Sequence, residues 1–150
     1  MRGLGVMSAA TAQVNHLMVP QSIRYEHDAV IELLAKEAAR PGVASAVAQR
    51  LLVRVKAHFA KEEEFVFPPL GLLDQIEVGD MPTDSVRKAV IEMAARTEAA
   101  KDDLEQEHLQ IFSMTQELIE YATRASEPEL KSFASDVAAH SLQAFRLASP

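Results

Sequence analysis

Residues 51–65 read Leu-Leu-Val-Arg-Val-Lys-Ala-His-Phe-Ala-Lys-Glu-Glu-Glu-Phe. Positions that are three or four residues apart lie on one face of a helix, and an amphipathic helix buries its apolar face. Here that face carries Leu51, Val55, His58, Glu62 and Phe65. The stretch therefore predicts a helix whose buried face holds an imidazole and a carboxylate one turn apart.

The stretch belongs to a predicted second helix at residues 43–66. The same period predicts three further helices, near residues 21–39, 84–124 and 127–147. Pro41-Gly42 and Pro68-Pro69 end the first two, because proline cannot continue the backbone hydrogen bonding of a helix. We predict residues 67–83 as a long connection. Thr83 or Asp84 should cap the third helix, and Ser126-Glu127-Pro128-Glu129 reads as a capping box for the fourth.

Short connections after the first and third helices indicate antiparallel neighbours. We therefore expect an all-α chain with residues 20–150 forming an antiparallel up-and-down four-helix bundle. Residues 1–19 show no period and are expected to be a poorly ordered arm. One mismatch remains, because an unbroken third helix would extend about 24 Å beyond the second. Either it breaks near residues 97–103, or the arm and the 67–83 connection cover its apolar residues Val90, Ile91 and Met93.

The composition limits the kinds of site that the chain can build. Its formal net charge is −7, which argues against nucleic acid as the main ligand. It contains no cysteine, so disulfides, thiolate metal sites and thiol catalysis are excluded. No segment has the ~18 continuous apolar residues of a membrane span. We expect a cytoplasmic protein in which any metal is held by nitrogen and oxygen.

Four of the five histidines each interrupt the apolar stripe of a different predicted helix: His27, His58, His108 and His140. At ~1.5 Å per residue, the first two lie ~18 and ~22 Å from their shared connection, and the last two ~25 and ~20 Å from theirs. A single buried histidine is usually satisfied by a hydrogen bond within the core. Four at matched heights favour one shared partner, and a metal is the simplest.

Imidazole and carboxylate ligands suit iron, manganese, zinc or cobalt. Helical spacing directs His58 and Glu62 to the same side, whereas Glu63 and Glu64 rotate ~100° and ~200° away and are expected in solvent. The fifth histidine, His16, lies in the arm and is expected to face solvent. The predicted ligands are His27, His58, Glu62, His108 and His140.

This pattern resembles the hemerythrin-like, or HHE cation-binding, family over roughly residues 20–145. The matching segments are Tyr25-Glu26-His27, His58-Phe59-Ala60-Lys61-Glu62-Glu63, Phe67-Pro68-Pro69-Leu70, Glu107-His108-Leu109-Gln110-Ile111 and His140. The resemblance implies a non-haem iron pair inside a four-helix bundle. Members of the family bind dioxygen, sense oxygen or iron, or handle reactive nitrogen or oxygen species.

The chain departs from the family pattern in its last helix. The pattern has a second His-x-x-x-Glu there, but this chain reads His140-Ser141-Leu142-Gln143-Ala144, with alanine at the carboxylate position. Asp136, one turn before His140, is the nearest substitute, although an acidic residue there is more often solvated. A single metal, a weakly held second metal and a metal-free bundle all remain open.

The resemblance and the ligand set together favour a protein that binds non-haem iron and binds or senses dioxygen or iron. Metal and a small diatomic molecule are the expected partners, with neither nucleic acid nor membrane. Turnover of an organic substrate is not expected. The alternatives are a small non-haem iron oxidoreductase or ferroxidase-like enzyme, and a degenerate bundle without metal that acts as an interaction module.

Overall fold

The computed structural model describes the backbone of residues 19–148 and the side chains of residues 19–139. Its helices are α1 (Gln21–Ala38), α2 (Val43–Lys61), a π-helical segment (Glu62–Val66), α3 (Pro68–Glu77), α4 (Asp84–Arg124) and α5 (Pro128–Ala148). This described part contains no strand, which confirms the predicted all-α class. None of the described helices combines the length and apolarity that crossing a bilayer requires.

The described chain divides into two compact units. The bundle unit comprises residues 26–59 and 101–148 and contains parts of α1, α2 and α4 together with α5. Most of its buried apolar side chains form one cluster, to which all of these helices contribute. The members are Leu34, Ala44, Val47, Leu51, Val55, Phe59, Ile111, Leu118, Ala122, Leu130 and Ala134. This is the core expected from helices that each present one apolar stripe.

Short connections in the bundle unit are fixed by polar contacts. The Ser45 hydroxyl donates to the Ala38 carbonyl at 2.8 Å, which satisfies a carbonyl at the end of α1. Arg40 donates to the Glu37 carboxylate at 3.0 Å, and this hydrogen bond raises the pKa of the arginine. Arg40 also lies 4.0 Å from Glu127, so the two short connections of the unit are near each other.

The second unit, called the short-helix unit, comprises residues 19–25 and 60–100 of the described chain. In its π-helical segment the Phe67 N–H donates to the Glu62 carbonyl at 2.8 Å. Arg96 of α4 donates to the Glu64 carboxylate at 3.0 Å, and its guanidinium lies 4.5 Å from the Phe65 ring centroid. The Thr97 hydroxyl contacts the Phe65 carbonyl at 3.3 Å. These contacts hold the π-helical segment against α4.

The region between α2 and α4 differs from the prediction. We expected a connection over residues 67–83, but Pro68–Glu77 is a helix with proline in its first turn. Proline is favoured there because the first N–H groups of a helix have no intrahelical partner. The helix ends at Glu77. Gly79, two residues later, adopts φ 91°, and the Asp80 N–H donates to the Gln75 carbonyl at 3.0 Å. Pro68-Pro69 thus ends one helical segment and begins another.

The long helix α4 decides between the two alternatives predicted for it, a break or a covered extension. It is continuous over 41 residues, so the break predicted near residues 97–103 is wrong. Met93 is buried, as predicted, whereas Ile91 is 70% exposed and the expectation that it would be covered is wrong. Of the predicted arm 1–19, residues 1–18 lie outside the described part of the chain, and Val19 is buried.

One of the two predicted caps is confirmed. The Thr83 hydroxyl accepts from the Val86 N–H at 3.3 Å, as an N-cap should. Ser126 is not the cap of the last helix. It adopts φ 55° after the end of α4, and the Glu127 N–H bonds to the Ala122 carbonyl at 2.9 Å. This is the left-handed helix ending that glycine usually occupies.

Candidate metal centre

The predicted imidazole and carboxylate of residues 51–65 are both buried. His58 is 2% exposed and Glu62 is 3% exposed. His58 lies in the last turn of α2, and Glu62 begins the π-helical segment that continues it without interruption. π-Helical turns inside α-helices frequently occur at functional sites. The local helix therefore places one imidazole and one carboxylate in the interior.

His108 of α4 meets His58 directly. The two Nε2 atoms are 2.8 Å apart, and the rings cross edge to face with centroids 4.2 Å apart at 74°. His108 is also buried. The same nitrogen, Nε2, of each ring thus faces the other ring, at a separation that two ligands of one ion can have.

The other nitrogen of His58 bonds to Glu107. The distance between Nδ1 and the Glu107 carboxylate is 2.7 Å, and an ionised carboxylate can only accept a hydrogen bond. With Glu107 ionised and His58 neutral, this hydrogen bond requires the His58 proton on Nδ1 and leaves the lone pair of Nε2 for a metal. The Nε2–Nε2 contact would then take its proton from His108.

Three of the five predicted ligands belong to one cluster. His58, Glu62 and His108 each offer a ligand atom, and these atoms all lie within 4.8 Å of one another. Two nitrogens that bind the same ion at ~2.1 Å can be no more than ~4.2 Å apart, and the two Nε2 atoms satisfy this limit. Two imidazoles and a carboxylate are a donor set suited to iron, manganese, zinc or cobalt.

Of the remaining two predicted ligands, one is not a member of this cluster and the other has a side chain outside the described residues. His27 of α1 is fully buried and stacks on Phe59, with ring centroids 3.7 Å apart and an angle of 8°. Phe59 is also a neighbour of the His58 ring, at 6.3 Å, but His27 is not a member of the three-residue cluster. The backbone of His140 lies in α5, and its side chain is outside the described residues.

Sequence reasoning did not assign a role to Glu107. It precedes His108 by one position, and a helix turns ~100° per residue, so it does not belong to the apolar stripe that identified the other residues. The useful signal was its place in the segment Glu107-His108, next to a predicted ligand. Only the approach of α4 to α2 shows that its carboxylate bonds to His58.

Comparison with known proteins gives one match. The pattern of the Hemerythrin HHE cation binding domain matches residues 19–143. No curated protein and no solved structure matches the chain. The matched region covers α1 to α4 and most of α5, including every predicted ligand. The chain therefore belongs to the hemerythrin HHE cation-binding domain family, as the resemblance predicted.

Proposed function

We propose that this protein is a cytoplasmic non-haem iron protein that binds or senses dioxygen or iron. His58, Glu62 and His108 would hold the ion, with His27 and His140 as further ligands. The family match supports cation binding. The observation that carries the proposal for this chain is the buried cluster of two imidazoles and one carboxylate.

The cluster places three polar side chains in the interior of the protein. Polar and charged groups lose free energy when they leave water, unless hydrogen bonds or a metal compensate. Each of the three clustered side chains is no more than 8% exposed. A cation bound by nitrogens of the two imidazoles would also compensate the negative charge of Glu62. A purely structural core would be filled by apolar side chains and would need neither the two histidines nor the glutamate.

The residues in and around the cluster would determine how a bound ion acts. Bound iron would supply redox and Lewis-acid chemistry toward a small molecule such as dioxygen. The chain itself would orient the ligands, because α2 and α4 fix His58 and His108 from two rigid helices. Phe59 stacks on His27 and provides an apolar wall beside that histidine. Such surroundings restrict the access of water to a site.

Stoichiometry is the second part of the proposal. We expect about one tightly held metal per chain, because Ala144 occupies the position of the second bridging carboxylate in the family pattern. With one acidic ligand in the predicted set, two dications would be poorly neutralised. A second ion, if bound, should be lost first during dialysis.

Metal analysis tests the proposal. Protein purified aerobically without chelator should contain about one iron per chain and show a visible absorption band that disappears in His58→Ala. The matched control is His16→Ala, which removes a histidine outside the predicted site and should keep its iron. If the protein retains no metal even after loading with ferrous iron, the proposal is wrong and the metal-free interaction module becomes the better account. Turnover of peroxide, nitric oxide or ferrous iron would instead identify the oxidoreductase or ferroxidase-like alternative.

A further inference from the structure

The Glu107 carboxylate contacts Nδ1 of His58, whereas the other clustered histidine, His108, contacts Nε2 of the same ring. The Glu107 side chain is 22% exposed, whereas His58 is 2% exposed, and the two are joined by a contact of 2.7 Å. That distance is typical of a charge-assisted hydrogen bond. Such a bond restricts the rotation of the imidazole and selects which nitrogen carries the proton.

We propose that Glu107 is the positioning residue of this site, holding His58 in the orientation and tautomer that present Nε2 to a metal. The inference rests on the proposed metal-binding function and assigns to Glu107 a role in it. It gives the two nearby carboxylates different roles. Glu62 belongs to the group of possible ligand atoms, whereas Glu107 bonds to the opposite nitrogen of His58.

Ring geometry excludes direct ligation by Glu107 to the same ion. The two nitrogens of an imidazole direct their lone pairs away from each other, so a carboxylate held on Nδ1 faces away from an ion on Nε2. Metal-bound histidines commonly donate their second N–H to a carboxylate, which fixes the tautomer and increases the donor strength of the ring. The 2.7 Å contact between His58 Nδ1 and the Glu107 carboxylate has the distance that this arrangement requires.

The charge of Glu107 has a further consequence in this chain. Alanine replaces the carboxylate one turn after His140, so the predicted ligand set contains one acidic residue rather than two. A second negative charge placed behind His58 stabilises a bound cation through the polarised ring. Removal of the Glu107 side chain should therefore change both the tautomer of His58 and the affinity for metal.

The tautomer can be measured without any metal. Long-range proton–nitrogen NMR correlations of the metal-free protein should show His58 protonated on Nδ1. Glu107→Gln should keep this state, because the amide oxygen still accepts from Nδ1–H. Glu107→Ala should lose it. Glu120→Ala, which removes an exposed carboxylate from the same helix, should leave the spectrum unchanged. An unchanged His58 tautomer in Glu107→Ala would overturn the inference.

Iron affinity provides the second measurement. Glu107→Ala should weaken ferrous iron binding ~10–100-fold, Glu107→Gln should weaken it less, and Glu120→Ala should bind like the wild type. Circular dichroism should show that all three variants keep their helix content. If His58→Ala loses iron while Glu107→Ala binds normally, the positioning role is wrong and the proposed function stands. If both Glu107 variants lose iron as completely as His58→Ala, Glu107 is a ligand and the positioning role is likewise wrong. If the wild type binds no iron, the proposed function fails, and the NMR result alone decides whether Glu107 orients His58.

Discussion

Loss of the His58 imidazole should remove most of the stabilisation that iron gives to the fold. His58 is the central member of the cluster, because one of its nitrogens faces His108 at 2.8 Å and the other bonds to Glu107 at 2.7 Å. His58→Ala deletes a ligand and leaves His108 and Glu107 without these contacts. A metal that binds only the folded state stabilises it by about 2.7 kcal/mol at a hundredfold excess over its Kd.

That free energy can be converted into a melting temperature. For a domain of about this size, 1 kcal/mol shifts Tm by roughly 2–4 °C. Ferrous iron at a hundredfold excess should therefore raise the Tm of the wild type by roughly 5–11 °C at pH 7.5. Protons compete with metal for histidine nitrogens, so the increase should be much smaller at pH 5.5. His58→Ala should abolish most of the shift.

Anaerobic differential scanning calorimetry with and without ferrous iron makes the comparison. The control is His16→Ala, which should keep the full shift because this histidine lies outside the predicted site. If His58→Ala shows the same iron-dependent increase in Tm as the wild type, the ligand role of His58 is wrong. If iron, manganese and zinc all leave the wild-type Tm unchanged at pH 7.5, the proposed metal binding is wrong.

Three other substitutions test separate parts of the account. Ala144→Glu should increase the amount of iron retained after dialysis, since i, i+4 spacing puts the new carboxylate beside His140; unchanged retention in metal analysis would count against the role given to that position. Leu118→Ala, at a fully buried core position, should lower the free energy of unfolding in urea by roughly 3–5 kcal/mol; a loss below about 1 kcal/mol would contradict the described core. Ser126→Gly should leave stability unchanged or raise it by up to ~1 kcal/mol, because a left-handed conformation costs serine ~1–2 kcal/mol and glycine gains entropy on unfolding; a clear decrease in the urea midpoint would show that Ser126 makes a contact worth more than its strain.

The long helices could be predicted because each repeats apolar residues at helical spacing. The stripe of residues 51–65 alone placed His58 and Glu62 in the interior, and both are buried. The short helix α3 was missed because Pro68-Pro69 has two meanings. Proline ends a helix that precedes it and is favoured in the first turn of one that follows. The residue types alone do not decide between these outcomes.

Features that depend on contacts between helices could not be predicted in the same way. The π-helical segment at Glu62–Val66 has no periodic signature of its own, and its contacts with Arg96 and Thr97 depend on how α4 approaches it. The same holds for the hydrogen bond between Glu107 and His58, which joins residues 49 positions apart. By contrast, the helical stripe was sufficient to identify the three members of the cluster.

The most direct measurement is an anomalous-diffraction crystal structure of the iron-loaded protein. We expect an iron ion bound by Nε2 of His58, Nε2 of His108 and a carboxylate oxygen of Glu62. His27 and His140 should complete the ligands, and Glu107 should remain hydrogen-bonded to Nδ1 of His58. An iron peak away from His58 and His108, or no specific peak in protein loaded at saturating ferrous iron, would contradict this expectation.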